Sequence, residues 1–450
     1  VSVRIERLRD AIVQADAPVS EAWRPGLVCP AIVIAYAAAN LSPAMLGRWL
    51  DLPEGPAGWQ EIFASAKGLC FCACVFVLAF PLVRKFAVLW RSIPPVARRR
   101  VLIVAGGLLL FATAMAVPMR FHEGHAGMSS WGWQYGRMSR APFLEDNEFF
   151  FRRLLKPALA HLLQLDGHRP YWFFSILCLI ALVALLTLYT ELMLLRRGAG
   201  GVVRVLIQAA VISTNVAMLH FVAPGYTDDL AAIVMILLML LPLNAGQRLG
   251  GLALAMLAHE AAAFAIAPLA LVLFDRWPAR AAAIAAIASF FAIFAAANGS
   301  TLMATLQSHN IAGPTAVACL LPRHPGEAML GIFIAHKLLW VVWLWAILLL
   351  LTRRRLAEAG VLMLLSAGPL ATVVLAMDTS RVVGFGFAGM LAAIHWLTGE
   401  LRSRFARLLF VALLVGTILI PYIPTGVRYL LVPSAGVYRE LYFFARGLIW

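Results

Sequence analysis

The sequence predicts an all-α polytopic membrane protein, on three observations. Of its 450 residues, 62% are hydrophobic and only 13% charged, against about 25% charged in an ordinary soluble domain. Its mean hydropathy is +0.86. Its apolar residues arrive in blocks of roughly 17–25, the length of helix that crosses a bilayer core. A soluble enzyme, a disordered chain and a coiled coil are excluded at this step.

The charge balance fits the same class. There are 37 Lys+Arg against 22 Asp+Glu, a net charge of +15. The basic residues sit at the ends of apolar blocks, as the positive-inside rule requires. No basic patch is interleaved with aromatics on a soluble domain, so nucleic acid is not an expected partner, whereas membrane lipids are. The six cysteines give no metal or disulfide framework. Cys70, Cys72 and Cys74 recur every second residue, a spacing that does not share a helix face. No metal site and no cofactor is expected.

Residues 1–25 read as a polar, cytoplasmic N-terminal segment without a cleavable signal pattern, and 26–450 as one membrane domain. The candidate spans, in order, are Gly26–Leu46, Gly68–Trp90, Val101–Pro118, Trp172–Leu195, Val203–Phe221 and Leu230–Leu243. After them come Ala281–Ala297, Leu330–Leu351, Gly360–Met377, Val382–Leu397 and Leu408–Pro424. The block Gly250–Phe274 is interrupted by His259–Glu260. A single crossing there would put Arg276, Arg353–Arg355 and Arg402–Arg407 outside, against the charge rule. A hairpin turning at His259–Glu260 returns them all to the cytoplasm and lets the polar pair face water. The expected count is therefore about 11–13 membrane helices, with Arg99 and Arg354 cytoplasmic and Gly136 and Thr379 external.

This topology gathers the unusual polar groups on one side. The long external segment 119–171 holds Glu145, Asp146, Glu148, Arg152 and Arg153 among aromatics, and reads as amphipathic helices lying at the interface. The turn Pro224–Asp229 brings Tyr226, Asp228 and Asp229, and one of the two aspartates is expected to cap the following helix. His259–Glu260 adds an ionisable pair without the spacing of a zinc motif. The short turn Met377–Arg381 carries an external arginine, whose alternative explanation is an exposed ion pair with Asp378. Carboxylates and a histidine suit general acid–base work, and arginines suit a phosphate.

The layout resembles the C-type glycosyltransferases, integral membrane enzymes that use polyprenyl-phosphate-linked sugars. Four features between Val101 and Phe274 carry the resemblance. They are the long external loop with an acidic residue, the stretch Arg152–Ala160, the turn Tyr226–Asp229, and the hairpin with His259–Glu260 at its tip. The resemblance implies transfer of a sugar from a polyprenyl-phosphate donor to a lipid or glycan acceptor hydroxyl, inverting and metal-independent. It implies a site on the outer face of a bacterial inner membrane. It also implies a general base from the first long loop, Asp146 first, then Glu145 and Glu148, with Asp228 and Asp229 as rivals. Arg152 or Arg153 and Arg381 would hold the phosphate, beside Tyr226, His259 and Glu260. Two other classes share the composition: a polysaccharide polymerase or ligase, and a transporter or lipid flippase, for which repeated halves are expected.

Overall fold

A computed structural model describes residues 27–41, 59–116, 130–144, 153–309, 325–371, 373, 379–401 and 403–423. Of these, 85% are helical and none forms a strand. The chain is an all-α membrane protein. Among the described residues, five helices are long and apolar enough to cross a bilayer, or up to seven if each of two bent pairs counts as one span. Several other expected spans are shorter helices that do not meet this length on their own.

The chain begins with α1 (Val28–Asn40), α2 (Trp59–Ser92) and α3 (Pro95–Ala116). On α2 and α3, Leu69, Phe76, Val83, Ile103 and Leu110 face outward. An apolar surface of this extent suits acyl chains, not water. Two short helices follow, α4 (Ser130–Met138) and α5 (Leu155–Leu162). Amphipathic helices at the interface are expected in the segment 119–171, of which residues 119–129 and 145–152 lie outside the described residues. Tyr135, Met138, Leu155, Lys156, Ala158 and Ala160 are buried in the core. These residues of α4 and α5 pack on protein, while Leu162 and Leu163 at the end of α5 stay exposed.

The long helix α6 (His168–Leu195) is central, with most of its residues buried, among them Tyr171, Leu182, Tyr189 and Glu191. Its Tyr171 hydroxyl donates to the Gly225 carbonyl (3.1 Å) at one end. Its Glu191 meets Arg100 (3.3 Å) and Arg204 (3.6 Å) at the other. These two levels lie roughly 30 Å apart along a helix, about the thickness of a bilayer core. The second level is a basic end. There Arg197 donates to the His395 ring (3.0 Å), Arg353 pairs with Glu400 (2.5 Å) and Arg355 with Glu358.

Two expected spans are broken. Val203–Phe221 divides into α7 (Gly201–Ile212) and α8 (Asn215–Val222), bent by 57°. After α9 (Asp228–Leu240), Asn244 caps α10 (Ala245–Ala258) in a capping box with Gln247. A 3-10 turn, Glu260–Ala262, leads to α11 (Ala263–Leu273). The interrupted block turns back on itself: the Arg248 guanidinium near the start of α10 donates to the Leu273 carbonyl that ends α11. In one continuous helix these residues would stand roughly 37 Å apart. His259–Glu260 occupies the tip of this hairpin.

The chain continues through α12 (Trp277–His309) and α13 (Pro325–His336). From α13 it turns by 79° at Lys337–Leu338 into α14 (Leu339–Thr352). Then come α15 (Leu356–Ala371), the five-residue α16 (Thr379–Val383), α17 (Phe387–Glu400) and α18 (Arg404–Leu419). The region Ser380–Glu400 is deeply enclosed, every residue from Phe387 to Leu397 being buried.

The two ends give a direct topological prediction. Exposed Arg99 and Arg276 flank the basic end, and exposed Arg169 opens α6 at the other. Arg99→Cys and Arg276→Cys should react with an impermeant thiol reagent from one side of sealed vesicles, and Arg169→Cys from the opposite side. Reaction of Arg169→Cys and Arg99→Cys from the same side would refute the arrangement.

Candidate functional site

The site forms where the first turn of α9 meets the hairpin tip. Pro224 and Gly225 make the sharp turn into α9. Gly225 has φ of +104°, which disfavours any side chain, and a Cβ there would lie 2.6 Å from the Gly132 Cα. The turn is thereby pressed against α4. Asp228 and Asp229 then occupy the first helical turn, where negative charge meets the positive end of the helix dipole.

The two aspartates have different fates. Asp229 is fully enclosed and fully committed. Its Oδ2 takes a hydrogen bond from the Lys156 ammonium (2.6 Å) and its Oδ1 one from the Leu230 N–H (2.7 Å). Lys156 also donates to the Tyr226 carbonyl (2.6 Å), so it clamps α5 to the turn. Asp228 is as deeply set, with 5% of its surface exposed, yet neither of its carboxylate oxygens accepts a hydrogen bond from a described residue. Its neighbours at ion-pair range are the Arg381 guanidinium, with Nε at 3.5 Å, and the His259 ring, with Nε2 at 3.6 Å, both from Oδ1. Two facing cationic or donor groups favour the ionised carboxylate, while its lone pairs stay open.

The hairpin tip fixes the histidine. The His259 backbone is extended, and its Nδ1 accepts from the Ala261 N–H (3.1 Å). A neutral ring in that bond carries its proton on Nε2, the atom facing Asp228. Glu260 turns away to Arg153, whose Nε and Nη2 grip the two carboxylate oxygens at 2.8 and 2.6 Å. Arg153 Nη1 also donates to the Tyr135 hydroxyl (2.9 Å). Burial raises the Tyr135 phenol above its ordinary value, against the pull of the Arg153 guanidinium. This fork-to-fork pair ties the hairpin to the start of α5.

Arg381 lies in α16 and not in an exposed turn. Its side chain is 10% exposed, and its guanidinium carbon lies 4.9 Å from the centre of the Tyr226 ring. The structure thus brings together Tyr226, Asp228, Asp229, His259, Glu260, Arg153 and Arg381 from the sequence-derived set. Glu145, Asp146, Glu148 and Arg152 lie outside the described residues, as does Asp378.

Sequence reasoning passed over several members. Lys156 and Tyr135 were lost within a segment read as an interfacial loop. Asn215 and His336, which bond the backbone carbonyls of Arg381 and Val383, and Lys337, which donates to the Ser213 carbonyl, were lost within apolar blocks. The signal was present: Ser213-Thr214-Asn215 and His336-Lys337 are polar runs inside expected spans, where an ionisable residue is costly. Among the described residues, no group of three or more His, Cys, Asp or Glu is arranged to hold a metal ion. No protein-family model, no curated protein and no solved structure matches the chain.

Proposed function

We propose that the chain is a membrane glycosyltransferase resembling the C-type enzymes, moving a sugar from a polyprenyl-phosphate donor to a lipid or glycan hydroxyl. The observation that supports this reading is Asp228, a buried carboxylate facing Arg381 and His259 with no hydrogen bond on either oxygen from a described residue. A structural carboxylate in such a place is normally saturated by donors, as Asp229 is. One left open is suited to take a proton.

The chemistry follows from that geometry. The acceptor hydroxyl oxygen attacks the sugar C1 while its proton passes to the Asp228 carboxylate. The bond from C1 to the phosphate oxygen breaks, and its electron pair stays on the phosphate. Arg381 faces that developing charge, and the Tyr226 ring under it limits its swing. Attack opposite the leaving group inverts C1. The arginine-rich end of α6 favours the cytoplasm, so the site is read as facing the exterior of an inner (plasma) membrane.

A second reading, a transporter, draws on the two broken helices. Their breaks meet where the Lys337 ammonium donates to the Ser213 carbonyl. Discontinuous helices facing each other within a membrane are a recurring feature of transport sites.

Arg381 supplies the test of the donor site. Arg381→Ala should weaken binding of geranylgeranyl monophosphate to the protein in lipid discs by about 10–100-fold, the worth of a charged hydrogen bond. Arg381→Lys should restore only part of it, because the planar fork is lost. Equal affinity in the alanine variant would remove Arg381 from the phosphate site.

A further inference from the structure

We infer that Asn215 is a positioning residue for the candidate site, fixing the Arg381 guanidinium against Asp228 through the Arg381 main chain. The inference deepens the proposed function, since it rests on Arg381 facing the reacting phosphate.

Asn215 opens α8, immediately after the break from α7, and only 3% of it is exposed. Its Nδ2 crosses to the Arg381 carbonyl at 3.2 Å. Its Oδ1 separately accepts from the Tyr422 hydroxyl, which leaves Nδ2 as the atom facing Arg381. A Cβ at Gly384 would overlap that amide, so glycine at 384 is what lets Asn215 reach α16. A buried asparagine at a helix break can satisfy itself on nearby carbonyls. This one instead reaches the backbone of a residue 166 positions away, whose side chain meets the open carboxylate.

The element it holds cannot hold itself. A five-residue helix such as α16 has few internal hydrogen bonds and is set by its outside contacts. The second such contact comes from the other broken helix, where the His336 ring meets the Val383 carbonyl at 3.1 Å. The two breaks are joined to each other by Lys337 and Ser213. The 3.5 Å separation of Arg381 from Asp228 is therefore referred to the paired helix breaks. Positions that matter to chemistry tolerate errors of well under about an ångström.

A coupling measurement tests this without any ligand. Apparent melting midpoints at one heating rate are recorded for the full chain, for Asp228→Asn, for Arg381→Met and for the double variant. Each set is made in the native, Asn215→Ala and Tyr422→Phe backgrounds. In the native background the double variant should lose less than the two single losses added together, as expected for groups in contact. In Asn215→Ala that non-additivity should fall to half or less. In Tyr422→Phe, which keeps the Asn215 amide on the Arg381 carbonyl, most of it should remain. If Asn215→Ala does not fold, Asn215→Thr, polar but too short to reach, replaces it. Full coupling without Asn215, no coupling in the native background, or equal loss in Tyr422→Phe would each overturn the inference. Failure of geranylgeranyl monophosphate to bind, with the coupling pattern intact, would count against the proposed function alone.

Discussion

Asp228→Asn is expected to lower sugar transfer by about 10²–10⁴-fold, the usual contribution of a general base. The substitution keeps the shape of the side chain and breaks no hydrogen bond, since neither carboxylate oxygen accepts one from a described residue. It removes the proton acceptor and the charge that faces Arg381 and His259. The protein should therefore stay folded and inserted while the rate falls. Initial rates with saturating donor, read beside a melting curve, separate the two effects. Full activity would return the base to Glu145, Asp146 or Glu148.

Lys156→Met is expected to cost about 3–5 kcal/mol of stability, because it leaves the Asp229 carboxylate charged, buried and without its partner. The pair is 0% and 1% exposed, so water cannot screen or replace it. The Tyr226 carbonyl loses its donor at the same time, which loosens the turn carrying Asp228. Adding Asp229→Leu should recover much of the loss, since an apolar pair avoids the stranded charge. Chemical denaturation in detergent measures both variants. A loss under about 1 kcal/mol for Lys156→Met would mean that the pair behaves as a solvated surface bridge.

Much of the fold was legible because membrane burial writes itself into sequence as block length and basic flanks. The turn at His259–Glu260 followed from counting arginines, and the bond from Arg248 to the Leu273 carbonyl agrees with it. The helix breaks were not legible. Ser213-Thr214-Asn215 and His336-Lys337 are short, and averaging over a span-length window submerges them. Their meaning appears only when Lys337 meets Ser213 across 124 positions. The segment around Lys156 reads as an amphipathic loop because, in sequence, its polar residues have no visible partner but water. In the fold their partners, Asp229 and Glu260, lie on other elements. The choice between Asp228 and Asp229 was beyond local reasoning for a related cause. Neighbours on a helix point about 100° apart. Only the packing of α5 on one side and α16 on the other decides which is saturated and which stays open.

The central claim is that this site turns over a lipid-phosphate sugar. The most direct measurement incubates the purified protein in lipid discs with membrane-extracted polyprenyl-phosphate sugars and a membrane-extracted acceptor pool, and follows the donor by mass spectrometry. The account predicts loss of donor, equal appearance of free polyprenyl phosphate and gain of one sugar on an acceptor, all suppressed in Asp228→Asn. Donor that stays intact in discs, but crosses the bilayer of sealed vesicles containing the protein, would contradict it and make the chain a transporter.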